Sequence, residues 1–149
     1  MADIQLLKSL LAAALLCAAG SASAALGAVA PSPLPAGTSS APAQTAGGSP
    51  YTVLRRVLDT GTTIREYVGQ DGKVFAVAWA GPLMPDLRSL LGDHFALLEQ
   101  HAAAAGRTSA VSIHRPEVTI LSAGRMGNFQ GRAWLSGRLP PGFDPRELQ

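Results

Sequence analysis

Cysteine is nearly absent from this 149-residue chain, Cys17 being the only one. One thiol excludes an internal disulfide and a multi-thiolate metal site. Aromatic residues make up 5% of the chain, so the core must be mostly aliphatic and each tryptophan stands out. Lysine is scarce as well: apart from Lys8 and Lys73 every basic residue is arginine. The net charge of +2 comes from scattered side chains. Only Arg125, Arg132 and Arg138 approach a cluster, which is too little for the basic stripe that nucleic-acid binding requires. The apolar run near the start, Ser9–Ala19, has 11 residues, against about 20 for a membrane-spanning helix. The motifs of several chemistries are also missing. There is no G-x-S-x-G nucleophile elbow, no phosphate-loop lysine and no H-E-x-x-H.

What is present begins with a leader. Lys8 is followed by the apolar run, and then by the small residues Gly20-Ser21-Ala22-Ser23-Ala24. A basic start, an apolar stretch and an A-x-A end make a secretory signal. Residues 1–24 are therefore read as a signal peptide cleaved after Ala24, and the protein as exported, periplasmic or extracellular. Cys17 leaves with the leader. Leu16 stands where lipidation needs a small residue, which argues against an acylated cysteine. Losing Asp3 and Lys8 leaves the net charge unchanged, and no spanning segment remains.

Residues 25–50 carry no charge and no aromatic residue and are rich in Pro, Ala, Ser and Gly. Such a stretch offers too little burial to offset its ordering entropy, so it reads as a flexible linker. The folded unit is expected over 51–141, with a tail at 142–149 that includes one helical turn at Pro145–Leu148. Tyr51–Leu58, Thr62–Val68 and Lys73–Ala80 read as strands. Asp71-Gly72 sets a hairpin between the last two. Alternation places Phe75, Val77 and Trp79 on one face of the third strand, and Val74, Ala76 and Ala78 on the other. With both faces apolar, that strand is expected at the centre of the sheet. The small alanine face would allow a helix to approach closely. One long helix follows from about Pro85 to Ala105, with Asp86 at the positive end of its dipole and Gly106 at its close. Its stripe is Leu87, Leu91, His94, Leu98 and Ala102. Ala110–His114, Val118–Ser122 and Arg132–Leu135 read as strands, and Gly124–Gly131 as a glycine-rich loop or bulged turn. The fold expected is α+β: a small antiparallel sheet in the order βββ-α-ββ, with room for one more short strand, and a single long helix packed across it.

Candidate chemistry is thin. His94 and His101 stand seven apart on the helix, about 10 Å along its axis, too far to share one metal. No metal and no cofactor is expected. The helix acids Asp86, Asp93 and Glu99 do not converge as a catalytic pair must. Ser112, Ser122 and Ser136 have no recognisable base nearby. Arg132 and Trp134 are two apart and share a strand face. A partly exposed Trp beside Arg suits a binding hot spot, while a core Trp with Arg snorkelling at its rim is the plainer alternative. The residues offered for binding are Arg132, Trp134, Arg125 and His94.

Several segments taken together are distinctive: Val74–Trp79, Gly81-Pro82, Pro85-Asp86-Leu87, Leu90-Leu91-Gly92 with Phe95, then Met126-Gly127, Phe129 and Gly131–Leu135. In these the chain resembles a family of exported proteobacterial proteins of unknown function, typified by Burkholderia and its relatives. The likeness spans roughly Tyr51 to Pro141. It implies export and a single compact domain and carries over no catalytic residue. The function expected is a non-enzymatic periplasmic or cell-surface binding or assembly module with an envelope or periplasmic protein partner and no nucleic acid. A small hydrolase or lyase using His94, with Asp86 or an arginine, is one alternative. A small-ligand binder stacking on Trp79 or Trp134 is the other.

Overall fold

The computed structural model describes residues 25–106 and 108–149. The leader assigned to residues 1–24 lies outside the described residues.

Seven antiparallel strands form one sheet: β1 (Thr38–Gln44), β2 (Pro50–Val57), β3 (Thr63–Val68), β4 (Val74–Gly81), β5 (Ala110–His114), β6 (Val118–Arg125) and β7 (Asn128–Leu135). Their order across the sheet is β1-β2-β3-β4-β7-β6-β5. Between β4 and β5 the chain is helical, with α1 (Leu87–Leu91), a 3₁₀ turn at Gly92–His94, and α2 (Phe95–Ala105). Four strands thus precede the helical segment and three follow it. The expected βββ-α-ββ order is corrected at both ends.

The additional strand at the front is β1, inside the stretch read as a flexible linker. Its residues, Thr-Ser-Ser-Ala-Pro-Ala-Gln, are mostly exposed, so no hydrophobic pattern announces it. It forms by backbone pairing along seven residues of β2, from Thr38 opposite Arg56 to Gln44 opposite Pro50. Pro42 is tolerated there because β1 is an edge. Ahead of β1 the chain is docked as well. Leu26 is buried, its N–H donates to Leu90 O at 2.9 Å, and Gly27 N–H donates to Val74 O at 2.8 Å. At the back, the segment read as a glycine-rich loop is ladder instead. Arg125 pairs Asn128 across a two-residue turn, Met126-Gly127, with Gly127 at φ 85°.

β4 is central, as its two apolar faces predict, but its faces are divided differently. Tyr67 pairs Ala76 while Val68 pairs Val74, which leaves Phe75 in a bulge. A bulge sets two residues opposite one and shifts the alternation. Phe75 therefore joins Ala76 and Ala78 on one side, and Val74, Val77 and Trp79 face the other. The helical segment covers the Val77–Trp79 side through Leu90 and Leu91, over a core that includes Leu54, Ile64, Val118 and Ile120. The alanine face expected to receive the helix is covered instead by the chain end. Residues 139–149 form a strap with a 3₁₀ turn at Pro145–Glu147, and it lays Phe143 and Leu148 against Tyr67, Phe75, Ala76 and Ala78. Phe143 completes an aromatic cluster with Tyr51, Tyr67 and Phe75, ring centroids 5.0–6.3 Å apart. Edge-on pairs of this kind add about 0.5–1.5 kcal/mol each beyond burial.

The single long helix is corrected too. Gly92 caps α1 at φ 55°, a backbone state that favours glycine. A Cβ there would stand 2.9 Å from that of Ala25. The helix is broken where the N-terminal segment crosses it. α1 buries Leu90 and Leu91, whereas no residue of α2 is fully buried. The expected stripe is thus only half-buried beyond the break, and Ala102 is exposed. Asp86 is the N-cap of α1, its Oδ1 accepting from Arg88 N and Ser89 N.

Candidate functional site

On the strap side of the sheet, one cross-strand row reads Arg55 (β2), Arg65 (β3), Ala78 (β4), Arg132 (β7), Leu121 (β6) and Ser112 (β5). Alternation puts them all on one face, because their sequence neighbours Leu54, Ile64, Val77, Ala133, Ile120 and Ile113 belong to the opposite core. Arg55 is directly opposite Arg65. Like charges so placed destabilise a sheet, which makes the pair unusual as pure scaffold. Ala78 separates Arg65 from Arg132 and is itself covered by the end of the strap, with Leu148 packed in the same cluster.

The next row along the same face reads Thr63, Ala80, Gln130, Ala123 and Ala110. Between the two rows runs a groove of about 640 Å³, lined by Arg65, Arg132, Gln130, Ala80, Leu121, Ala123 and Ala110, with Leu148 and Gln149 at one end. That volume lies within the range of ligand pockets, about 300–1,000 Å³.

The electrostatics are one-sided. Among the described residues, salt bridges join Arg88 to Glu99, Arg138 to Asp71 and Arg146 to Asp144. No Asp or Glu side chain is salt-bridged to Arg55, Arg65 or Arg132 among the described residues. Arg65 Nη1 donates to Gln149 O at 2.5 Å and Arg132 Nη1 to Leu148 O at 3.4 Å. A guanidinium has five N–H donors, so both retain donors for another acceptor. The acid nearest in effect is Asp144. The Arg146 hydrogen bond holds its carboxyl below the usual range, with a smaller contribution from the field of Arg132. On the same face the Tyr51 hydroxyl is pushed up, first by burial, then by Glu147 and Tyr67.

The residues offered from the sequence separate. Arg132 lines the groove and Trp134, two residues on, is half-buried against the aromatic cluster. Arg125 is on the same face but at the exposed β6–β7 turn, outside the groove. His94 is elsewhere, in the 3₁₀ turn, lining a different groove of about 930 Å³ with Asp93, Glu117 and Arg138. Asp86, its proposed partner in catalysis, is committed to capping: the Ser89 hydroxyl donates to its Oδ2, and its carboxyl is held low first by that bond. Trp79 borders the groove, but its side chain is fully buried in the helical-side core, with no acceptor for its Nε1–H among the described residues.

Arg65 and Arg55 were missed as site residues. The signal was there: alternation already places Arg65 with Thr63 and Tyr67, away from Ile64. What the pattern lacked was the register that aligns three strands. Ser112 also has a base after all, its Oγ lying 3.0 Å from His114 Nε2. Both are exposed on the edge strand, and no carboxylate among the described residues hydrogen-bonds His114, so the pair lacks the enclosure and the orienting group of a nucleophilic site. No group of three metal-ligating side chains occurs among the described residues, and no helix among them is long and apolar enough to cross a membrane.

No curated protein and no solved structure matches the chain. A family model described as a protein of unknown function, DUF2844, matches residues 22–148.

Proposed function

We propose that this chain, which belongs to the DUF2844 family of proteins of unknown function, is an exported, non-catalytic binding module that recognises an anionic component of the cell envelope. Its binding surface is the strap side of the sheet, at the groove between Arg65 and Arg132. The observation that carries this reading is the arginine row: cations aligned by register beside an open groove, with no Asp or Glu side chain salt-bridged to them among the described residues. Guanidinium groups bind carboxylates and phosphates bidentately and keep their charge at any physiological pH. Export follows from the leader at residues 1–24, and the Burkholderia-type source from the resemblance of the exported part. The likeness to a family of unknown function brings no activity with it.

The test has two parts. Protein recovered from its host's envelope fraction should begin at Ala25 on N-terminal sequencing, and a chain retaining residues 1–24 would sink the export reading. A photocrosslinking side chain at Gln130, in the groove, should give an adduct in cells that one at Glu99, on the helical side, does not. The adduct should be lost in Arg65→Gln and Arg132→Gln. An adduct indifferent to both arginines would overturn the assignment of the surface.

A further inference from the structure

We infer that the ligand of this groove is a single-chain anionic amphiphile, with its head group between Arg65 and Arg132 and its hydrocarbon chain along Leu121, Ala123 and Ala110. The inference rests on the proposed binding surface and names what it takes.

The groove carries its charge at one end only, with Gln130 beside it. Arg65 and Arg132 stand on β3 and β7, and beyond them towards the β5 edge the side chains of the floor are Leu121, Ala123 and Ala110. From β3 to β5 are four strand spacings, about 19 Å, enough for a charged head and an extended chain. The long axis crosses the strands rather than following them. The strands beneath it, β4, β7 and β6, each pair on both edges, so their backbone groups are already bonded to one another. A peptide laid on this face would find no ladder to join, unlike one added at a sheet edge. Its own N–H and C=O groups would lose water without gaining partners, which is costly. A hydrocarbon chain has no such groups, and burying it on alanine and leucine is favourable. At the head, a carboxylate or phosphate ester oxygen takes the donors that the oxygens of Leu148 and Gln149 at the end of the strap leave open, or replaces them.

The test is calorimetric titration of the purified exported protein with hexanoate, octanoate and decanoate, with octyl and decyl phosphate, and with decyltrimethylammonium. Carboxylate or phosphate affinity should rise roughly fourfold per added methylene, the equivalent of about 0.8 kcal/mol. The ammonium amphiphile should bind at least tenfold more weakly. Comparing the two anionic series decides between a carboxylate and a phosphate head. Arg65→Gln and Arg132→Gln should each weaken the anionic series at least tenfold, with circular dichroism confirming that the fold is kept. Ala123→Phe, which fills the apolar floor, should flatten the dependence on chain length. Equal affinities for hexanoate and decanoate, with the arginine dependence intact, would overturn the amphiphile and leave the anion site standing. Chain-length dependence indifferent to all three substitutions, or no binding at all, would overturn it too. The Gln130 crosslink reports on the underlying surface independently of every one of these results.

Discussion

The indole of Trp79 lies across the bare Cα of Gly131, its direct cross-strand partner on β7. A Cβ added at Gly131 would stand 2.5 Å from Trp79 Cε2, closer than any real contact. The largest fully buried side chain of the protein therefore owes its position to the smallest residue type on the neighbouring strand. Since its Nε1–H has no acceptor among the described residues, shape rather than hydrogen bonding fixes the ring.

Gly131→Ala should accordingly destabilise the protein by about 2 kcal/mol, the usual cost of overpacking. The direction is informative because glycine in a strand is otherwise worse than alanine by about 0.5–1 kcal/mol, so without the clash the change would stabilise. In a Trp79→Leu background the penalty should largely vanish, a coupling expected of residues in contact. Urea denaturation of the four proteins of the cycle measures it. A neutral Gly131→Ala in the parent would show that β4 and β7 part easily, and the tight pairing described above would be wrong.

Phe143 is the anchor of the strap. It is 8% exposed and touches Tyr51, Tyr67 and Phe75, so Phe143→Ala should cost about 3–5 kcal/mol. Trp134 packs in the same cluster and Trp79 on the opposite side of the sheet. The variant's fluorescence, still folded, should therefore shift to the red through Trp134 alone, and a Trp134→Phe background should abolish the shift. A loss under about 1 kcal/mol would mean that the strap contributes little to covering this face.

Asp86 gives a pH-dependent contribution whose sign is fixed. Its carboxyl is held below its ordinary 3.8, first by the Ser89 hydroxyl and then by the Ser89 N–H. A group with a lowered folded pKa stabilises above its unfolded value and loses that contribution as pH falls through the folded one. Asp86→Ala should cost about 1 kcal/mol at neutral pH, as for other N-caps, with the electrostatic share reduced by exposure to solvent. Thermal unfolding of parent and variant should converge between about pH 5 and pH 2. A gap that stays constant across that range would assign the stabilisation to packing rather than to the carboxylate.

Legibility followed burial. β2, β3 and β4 were readable because alternating or continuous apolar residues mark strands that cover a core, and the Asp71-Gly72 hairpin was readable from its turn chemistry. β1 was not, because an edge strand with mostly exposed side chains needs only backbone pairing, and backbone pairing leaves no mark on composition. The bulge at Phe75 was invisible for a related reason: a one-residue slip depends on the register with Tyr67 and Val68 rather than on β4 itself. The helix break at Gly92 had its signal in the glycine, but the expected helix of Pro85 to Ala105 ran through it, because Ala25 was not expected there. Around the groove, the spacing of Arg132 and Trp134 put both on one face, though only Arg132 lines it, whereas the alignment of Arg65 with Arg55 needed the pairing of β2 with β3. His94 was offered on residue type alone and sits in a different groove.

The N-terminal segment offers the sharpest check on that correction. A flexible linker would exchange its amide hydrogens freely. In the structure Leu26 N–H, Gly27 N–H and Ala30 N–H donate to Leu90 O, Val74 O and Gly72 O at 2.8–2.9 Å, and Val74 N–H donates back to Ala28 O. Leu26 is also 5% exposed within the helical-side core. Hydrogen exchange should show the Leu26 and Gly27 amides protected to nearly the same degree as those of β4, and far more than that of Gly37. Leu26→Ala should cost about 2–4 kcal/mol, a large-to-small change in a buried site, and should loosen those same amides first. Free exchange at Leu26 in the parent would return residues 25–30 to the status of a tether.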